Sequence, residues 1–435
     1  MLKRALFFGA LLGILLGPLG AQDDFGFGFD GEGEPPGAAP LGSLVSGIRI
    51  GGEIGAELVG YVHDFKPQGG FYTTLGNIFS GKLNFSASGS NADGVINLNL
   101  RPVFDGTASP LEIDEAYVRA YFGSFSIEGG LRKLTWGKAD SLGPLDVVNP
   151  LDYRDLTDMT DIQSRKIARP LVRLSYGFGN FSALEAVFVP WFEGHRFDTT
   201  GRWTPSRVNE LPFNFSSADT TSLEYAQGGL RFSTTWGSSD LGFQYYYGRL
   251  PQPAVYVSFP GIVRIAYNSY HQIGMDYARV LGGFNLRAEF AAHITQDLSG
   301  EDGGIYNPFL AWSLGFDRDL IGGINLNLQV NETIRLLHDR VTGNRALDTE
   351  AGKNLTVTRM TGILSKKFFR DELELRTAVI WGLEDRDVYV LPGIFWTRGE
   401  VILEFSGGIF AGDRRGELGQ YRDNSFVKLG LTYTF

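Results

Sequence analysis

The stretch Asn424-Ser425-Phe426-Val427-Lys428-Leu429-Gly430-Leu431-Thr432-Tyr433-Thr434-Phe435 decides how the rest of the chain is read. Val427, Leu429, Leu431, Tyr433 and Phe435 alternate with Lys428, Gly430, Thr432 and Thr434. A strand puts successive side chains on opposite faces, so this segment has one apolar and one polar face. A single strand of that kind fits a soluble sandwich as well as a wall between lipid and water. What repeats upstream makes the choice.

The same period of two recurs in Leu373 and Leu375 against Glu374 and Arg376, and in Ile324, Leu326, Leu328 and Val330 against Asn325, Asn327, Gln329 and Asn331. It recurs again in Phe284, Leu286, Ala288 and Phe290, and in Ile96, Leu98 and Leu100. The links between such runs fall into two classes that take turns. Tight ones include Gly123-Ser124, Gly179-Asn180, Gly237 to Asp240, Leu281 to Gly283 and Thr397 to Gly399. Long ones include Asp64 to Gly70, Asp105 to Pro110, Gly137 to Ala168, Glu193 to Thr220, Leu250 to Tyr267, His338 to Lys353 and Asp413 to Asp423. Strict alternation puts short turns on one side and long loops on the other, the asymmetry of a membrane barrel. The reading is an all-β fold over residues 43–435: a single closed antiparallel transmembrane β-barrel of about eighteen strands, with sixteen the alternative. Val255 to Tyr267 reads either as a hairpin above the membrane or as a further strand pair. Since an open edge would leave N–H and C=O groups unpaired in hydrocarbon, the strand beginning near Ser43 must pair with Phe426 to Phe435. Trp136, Trp191 and Trp381 near the long loops, and Trp236 and Trp396 beside short turns, are expected to form two interfacial girdles.

Lys3 and Arg4 precede an apolar run from Ala5 to Leu16 and small residues ending at Ala21. That order reads as a secretory signal peptide over 1–21, its apolar core too short for a membrane span. The Gly/Pro/acidic stretch 22–42 reads as a disordered tail. With no Cys there is no disulfide framework, thiolate metal site or acylated cysteine. The net charge of −10 argues against a nucleic-acid partner.

The loop Gly137 to Ala168 carries the densest chemistry. It reads Trp136-Gly137-Lys138-Ala139-Asp140, then Leu145-Asp146-Val147-Val148-Asn149-Pro150-Leu151-Asp152-Tyr153, with Asp155, Asp158 and Asp161 following. Here the chain resembles a DUF1302-like family of outer-membrane barrels of unassigned function, sharing a Trp-Gly, Asp, Asn-Pro-x-Asp pattern; Pro190, Arg202-Trp203 and Leu211-Pro212 extend the likeness. The resemblance implies an envelope location and a transport role, and it supplies no substrate or catalytic residue. A long loop after the fifth strand also resembles the constriction loop of general porins. An acidic loop inside a barrel needs cations on the wall, so Asp140, Asp146, Asp152 and Asp155 are expected to face Arg119, Arg132 and Arg173 across an eyelet. Lys133, Arg154, Arg165, Lys166 and Arg169 are near in sequence. Two other readings stay open: the acids cap turns and a short helix starting at Asn149-Pro150, or Asp146, Asn149 and Asp152 hold calcium.

Five histidines are present, His63, His195, His271, His293 and His338, with no zinc-type spacing. His63-Asp64 and His338-Asp339 sit where a rim hydrolase would place a dyad, yet sequence neighbours on a strand face opposite ways. The expectation is therefore no enzyme, no cofactor and no metal. The chain reads as a porin-like channel of the bacterial outer membrane for passive or facilitated diffusion of small polar solutes. Expected partners are outer-membrane lipid and small solutes, with the channel either monomeric or a homotrimer. The alternating segment ending in Phe435 also resembles the signal read by the barrel-assembly machinery. A transporter of hydrophobic compounds and a structural or adhesin barrel are the alternatives.

Overall fold

The computed structural model describes residues 47–64, 79–100, 111–179, 181–206, 215–217, 219–258 and 262–435. The expected leader, the tail, Ser43 and Leu211-Pro212 lie outside the described residues. Eighteen strands form one sheet. In chain order they are β1 Ile48–Tyr61, β2 Phe79–Ser88, β3 Ala92–Leu100, β4 Leu111–Phe122, β5 Phe125–Arg132, β6 Arg169–Phe178, β7 Ser182–Val189, β8 Gln227–Trp236 and β9 Ser239–Arg249. They continue as β10 Ser269–Leu281, β11 Phe284–Thr295, β12 Phe309–Leu320, β13 Ile324–Arg335, β14 Thr356–Phe368, β15 Leu373–Gly382, β16 Asp387–Arg398, β17 Val401–Ala411 and β18 Phe426–Thr434. Each pairs antiparallel with its neighbours in sequence, and β1 closes the ring on β18 from Glu53 opposite Thr434 to Tyr61 opposite Phe426. Gly52 and Phe435 exchange backbone bonds of 3.0 Å in both directions at the end of that seam.

Burial along the strands is inverted relative to a water-soluble core. On β10, Gln272 and Asp276 are 0% and 1% exposed, whereas Ile273 and Met275 between them are 56% and 41% exposed. Leu314, Leu364, Ile394, Phe405, Leu429 and Leu431 stand on the outer face in the same way. Only hydrocarbon makes such a continuous apolar belt favourable, and the polar residues point to the interior.

The turns explain the register. Gly282 and Gly283 link β10 to β11 with φ of 58° and 81°, the left-handed pair that a two-residue hairpin with matching twist requires. Ile262–Ala266 pairs with Ala254–Ser258 on one side and with Phe215–Ser217 on the other in a separate sheet, so this segment is an outer hairpin and adds no wall strand. Trp236 and Trp396 are exposed beside short turns, and Trp191 and Trp381 beside long loops. Trp136 departs from the expected girdle: it is buried inside, its ring edge-on to Tyr246 with centroids 6.0 Å apart. The chain turns inward directly after β5, which carries Trp136 with it.

Ile273→Arg places a guanidinium on the lipid face and should destabilise the folded barrel by about 2–4 kcal/mol when near the midplane. Reversible urea titration in phospholipid vesicles measures it.

A candidate constriction across the lumen

The segment between β5 and β6 runs through the barrel from wall to wall. At its near end Asn149 ties the two limbs together: Oδ1 accepts from Leu134 N at 2.7 Å, and Nδ2 donates to Arg132 O and Ile167 O at 3.0 and 2.9 Å. Trp136 and Val148 pack there against Leu171, Val187, Val189, Tyr246 and Tyr270 on the inner faces of β6, β7, β9 and β10. At the far end Leu156 and Met159 pack against Ala378, Tyr389, Leu391, Phe410 and Phe426 on β15 to β18. Tyr389 Oη donates to Thr157 O at 2.9 Å. These two wall sectors lie on opposite sides of an eighteen-strand ring. A second segment crosses alongside, with Arg196-Phe197 pairing parallel to Asp152-Tyr153 and Trp203 joining the far apolar cluster. Burying several large side chains at each end, at about 1.5–3 kcal/mol apiece, is what holds a loop in so wide a ring.

Polar groups on the wall seal the loop along β9 to β13. Gln244 Nε2 donates to Leu145 O at 2.9 Å, Gln272 Nε2 to Pro144 O at 2.7 Å, and Ser141 N to Gln329 Oε1 at 3.0 Å. Glu289 accepts from the backbone of Lys138, of Ala139 at 2.7 Å and of Leu145 at 3.4 Å. Asp140 bridges to Arg287 and accepts from Asn327 Nδ2 at 2.8 Å.

The pairing expected at the eyelet is not the pairing present. Arg119 meets Glu128 at 2.7 Å, Arg132 meets Glu115 at 3.0 Å and Glu128 at 3.3 Å, and Arg173 meets Glu185 at 2.5 Å, so each wall arginine has a wall carboxylate on a neighbouring or the same strand. The four aspartates divide differently. Asp140 takes Arg287, Asp146 takes Lys166 at 2.7 Å with both side chains buried, and Asp152 takes Arg154 at 2.5 Å. Asp155 accepts from Thr157 N at 2.9 Å as a turn cap. Two of the cations thus come from the loop itself. The expected wall arginines are already held by wall carboxylates, which leaves the loop acids to Arg287, Lys166 and Arg154.

Burial raises the carboxyl pKa of Asp140 and of Asp146 against the pull of Arg287 and Lys166, whereas at Asp152 the bonds from Arg154 outweigh burial and lower it. The helix expected at Asn149-Pro150 is also displaced: a bridge and a short strand follow Pro150, and the single helical turn is Ile162–Arg165, capped by Asp161 accepting from Ser164 N. Asp146, Asn149 and Asp152 are each committed to other partners and do not converge as a calcium set.

The loop covers one side of the interior, and among the described residues the other side stays exposed. Inner-face Gln272 and Glu289 under the loop are 0% and 4% exposed. Across the ring, the Lys82 and Glu53 side chains, paired at 2.7 Å on β2 and β1, are 52% and 37% exposed to the interior. Asn84 and Ser80 beside Lys82 are also exposed. Glu289, Arg287, Gln244, Gln272 and Gln329 were not singled out as loop partners from the sequence. Their only trace there is a polar residue at alternate strand positions, which every lumen wall shares.

His195 lies in the second crossing segment, where Nδ1 accepts from Leu151 N at 2.8 Å. His338 Nε2 is 2.9 Å from Lys353 O, and His293 stacks on Phe309 with ring centroids 4.2 Å apart.

No family profile and no curated protein matches the sequence. Solved structures do. The chain is similar to a BenF-like porin from Pseudomonas fluorescens Pf-5, with a TM-score of 0.53, 9% identity and coverage of 89% of this chain and 97% of that one. It is similar also to OccK11 (OpdR) from Pseudomonas aeruginosa, with a TM-score of 0.51, 12% identity and 91% and 99% coverage. OccAB4 from Acinetobacter baumannii gives a TM-score of 0.50, 10% identity and 90% and 99% coverage. The likeness is one of fold.

Burial, with Arg165 nearby, lowers the His195 pKa from 6.5 to about 3. A histidine depressed in the folded state contributes stability above its unfolded pKa, and that contribution is lost as pH falls from 6.5 towards 3. Thermal or hydrogen-exchange stability of the crossing segments should therefore drop over this window. The drop should be smaller in His195→Gln.

Proposed function

We propose that the chain is a porin-like channel of the bacterial outer membrane that passes small polar solutes by diffusion. The observation that carries the reading is the combination of an apolar outer belt with a polar interior that stays exposed beside β1 and β2 while the loop is sealed against β9 to β13. A ring of eighteen strands is too wide for wall side chains alone to fill, so the inward loop sets the bore. The barrels it resembles in fold include a BenF-like porin, in keeping with this reading. Asp140, Asp152 and Asp155 on the loop, with Arg119, Arg132 and Arg173 on β4 to β6 at its root, are proposed to line the narrow zone as separate ion pairs rather than as two opposed rows. The motif residues Trp136, Gly137, Asp140, Asn149, Asp152, Arg202 and Trp203 all lie on the two crossing segments. We infer that the pattern shared with the barrel family marks this crossing. Outer-membrane lipid, a homotrimer and the assembly machinery acting through Phe435 are the partners this reading carries. The interior apolar patch on β15 to β18 is covered by Leu156 and Met159, which leaves it shielded rather than offered as a greasy path.

Proteoliposomes should swell in sugars at rates that fall steeply with solute size. Lys82→Glu, in the wet sector, should shift ion preference towards cations in planar bilayers. Folded protein that supports neither swelling nor conductance would contradict the channel.

A further inference from the structure

The strongest unexplained feature of the interior is a carboxylate gripped by backbone. Glu289 stands on the inner face of β11, almost fully buried, and the loop folds round it: Lys138, Ala139 and Leu145 all turn their N–H groups to its two oxygens. Three converging N–H groups make a concave anion site, and a hydrogen bond to a charged acceptor is about twice as strong as a neutral one. The two glycines in this stretch are where they must be. A Cβ on Gly137 or on Gly143 would run into the Glu289 carboxylate, and Gly137 also holds φ of 98°, which L side chains rarely adopt. The charges around the grip are accounted for separately: Asp276, opposite Glu289 on β10, takes Arg231 at 2.6 Å, and Arg287 takes Asp140 and Asp317.

We propose that Glu289 is the positioning residue of the constriction, and that the backbone nest from Gly137 to Leu145 clasps it to fix how far the loop stands from the wall. The inference rests on the channel reading for its consequence and on hydrogen bonding alone for its geometry. The clasp sits at the point where the chain first enters the lumen, between the apolar anchor at Trp136 and the Asp140 ion pair. Weakening it leaves Trp136 and Val148 anchored and frees the stretch between them. Asp140, which the sequence marks as the charged feature of this stretch, has a single guanidinium and one amide for partners. Glu289 has three backbone donors and fixes the backbone itself.

The test uses the full chain folded in lipid, with Glu289→Gln and Gly143→Ala as independent lesions. Gln keeps the volume and turns one acceptor into a donor that faces N–H groups. Ala at 143 keeps the carboxyl and fills the space it needs. In both variants amide exchange at Lys138 and Ala139 should speed up about tenfold or more. Single-channel current should become larger or flicker between levels, and the sugar size limit should rise. The heat-resistant mobility of the folded barrel on gels should stay as in the parent. Unchanged exchange at Lys138 and Ala139 in Glu289→Gln would overturn the clasp. Faster exchange with an unaltered current and size limit would overturn its role in setting the bore. The exchange measurement judges the clasp even if the parent protein proves not to conduct, so the two readings fail separately.

Discussion

Every backbone N–H and C=O in the wall must find its partner inside the wall, because hydrocarbon offers none and each unpaired group costs several kcal/mol. Closure is the only solution for a sheet. The seam between β1 and β18, running from Glu53 and Thr434 to Tyr61 and Phe426, supplies it. From that closure the rest follows: one face becomes a greasy exterior, the other encloses a lumen, and the ring is large enough that something besides wall side chains must narrow it.

The narrowing element is built by ordinary soluble-protein physics inside a membrane fold. Its two ends are anchored by apolar clusters, Trp136 and Val148 on one side and Leu156, Met159 and Trp203 on the other. Its middle is held by polar groups on β9 to β13. The buried Lys166–Asp146 pair, at 2.7 Å, is internal to the loop. Breaking such a pair from one side typically costs about 3–5 kcal/mol, so it gives the loop a defined shape before the wall is considered. Among the described residues, the Lys82 and Glu53 side chains of the opposite sector stay exposed. That asymmetry is what the proposed channel reading rests on.

The wall was legible in the sequence because its rules are local. Alternation in Leu429-Gly430-Leu431-Thr432 names its faces, and glycine pairs such as Gly282-Gly283 name the turns. The presence of a long acidic segment after β5 was legible for the same reason. Its partners were not. Asp140 to Arg287, Ala139 to Glu289 and Ser141 to Gln329 span 147, 150 and 188 residues of chain, and nothing in either segment encodes the meeting. Arg119, Arg132 and Arg173 were near in sequence and looked available, but each lies beside a carboxylate on its own or an adjoining strand, which the alternation pattern hides. Trp136 misled in a related way: tryptophan beside a strand end fits an interface girdle, and only the inward course of the chain buries it.

Since the chain has no cysteine, an introduced pair reports cleanly on whether the loop lies across the lumen. Ser141→Cys with Gln329→Cys, treated in membrane-inserted protein with a short bis-thiol-reactive linker, should cross-link within the chain at a yield close to that of a seam pair, Leu58→Cys with Leu429→Cys. A seam pair that links while the 141–329 pair stays unlinked would show a closed barrel whose loop lies elsewhere, and would contradict the account.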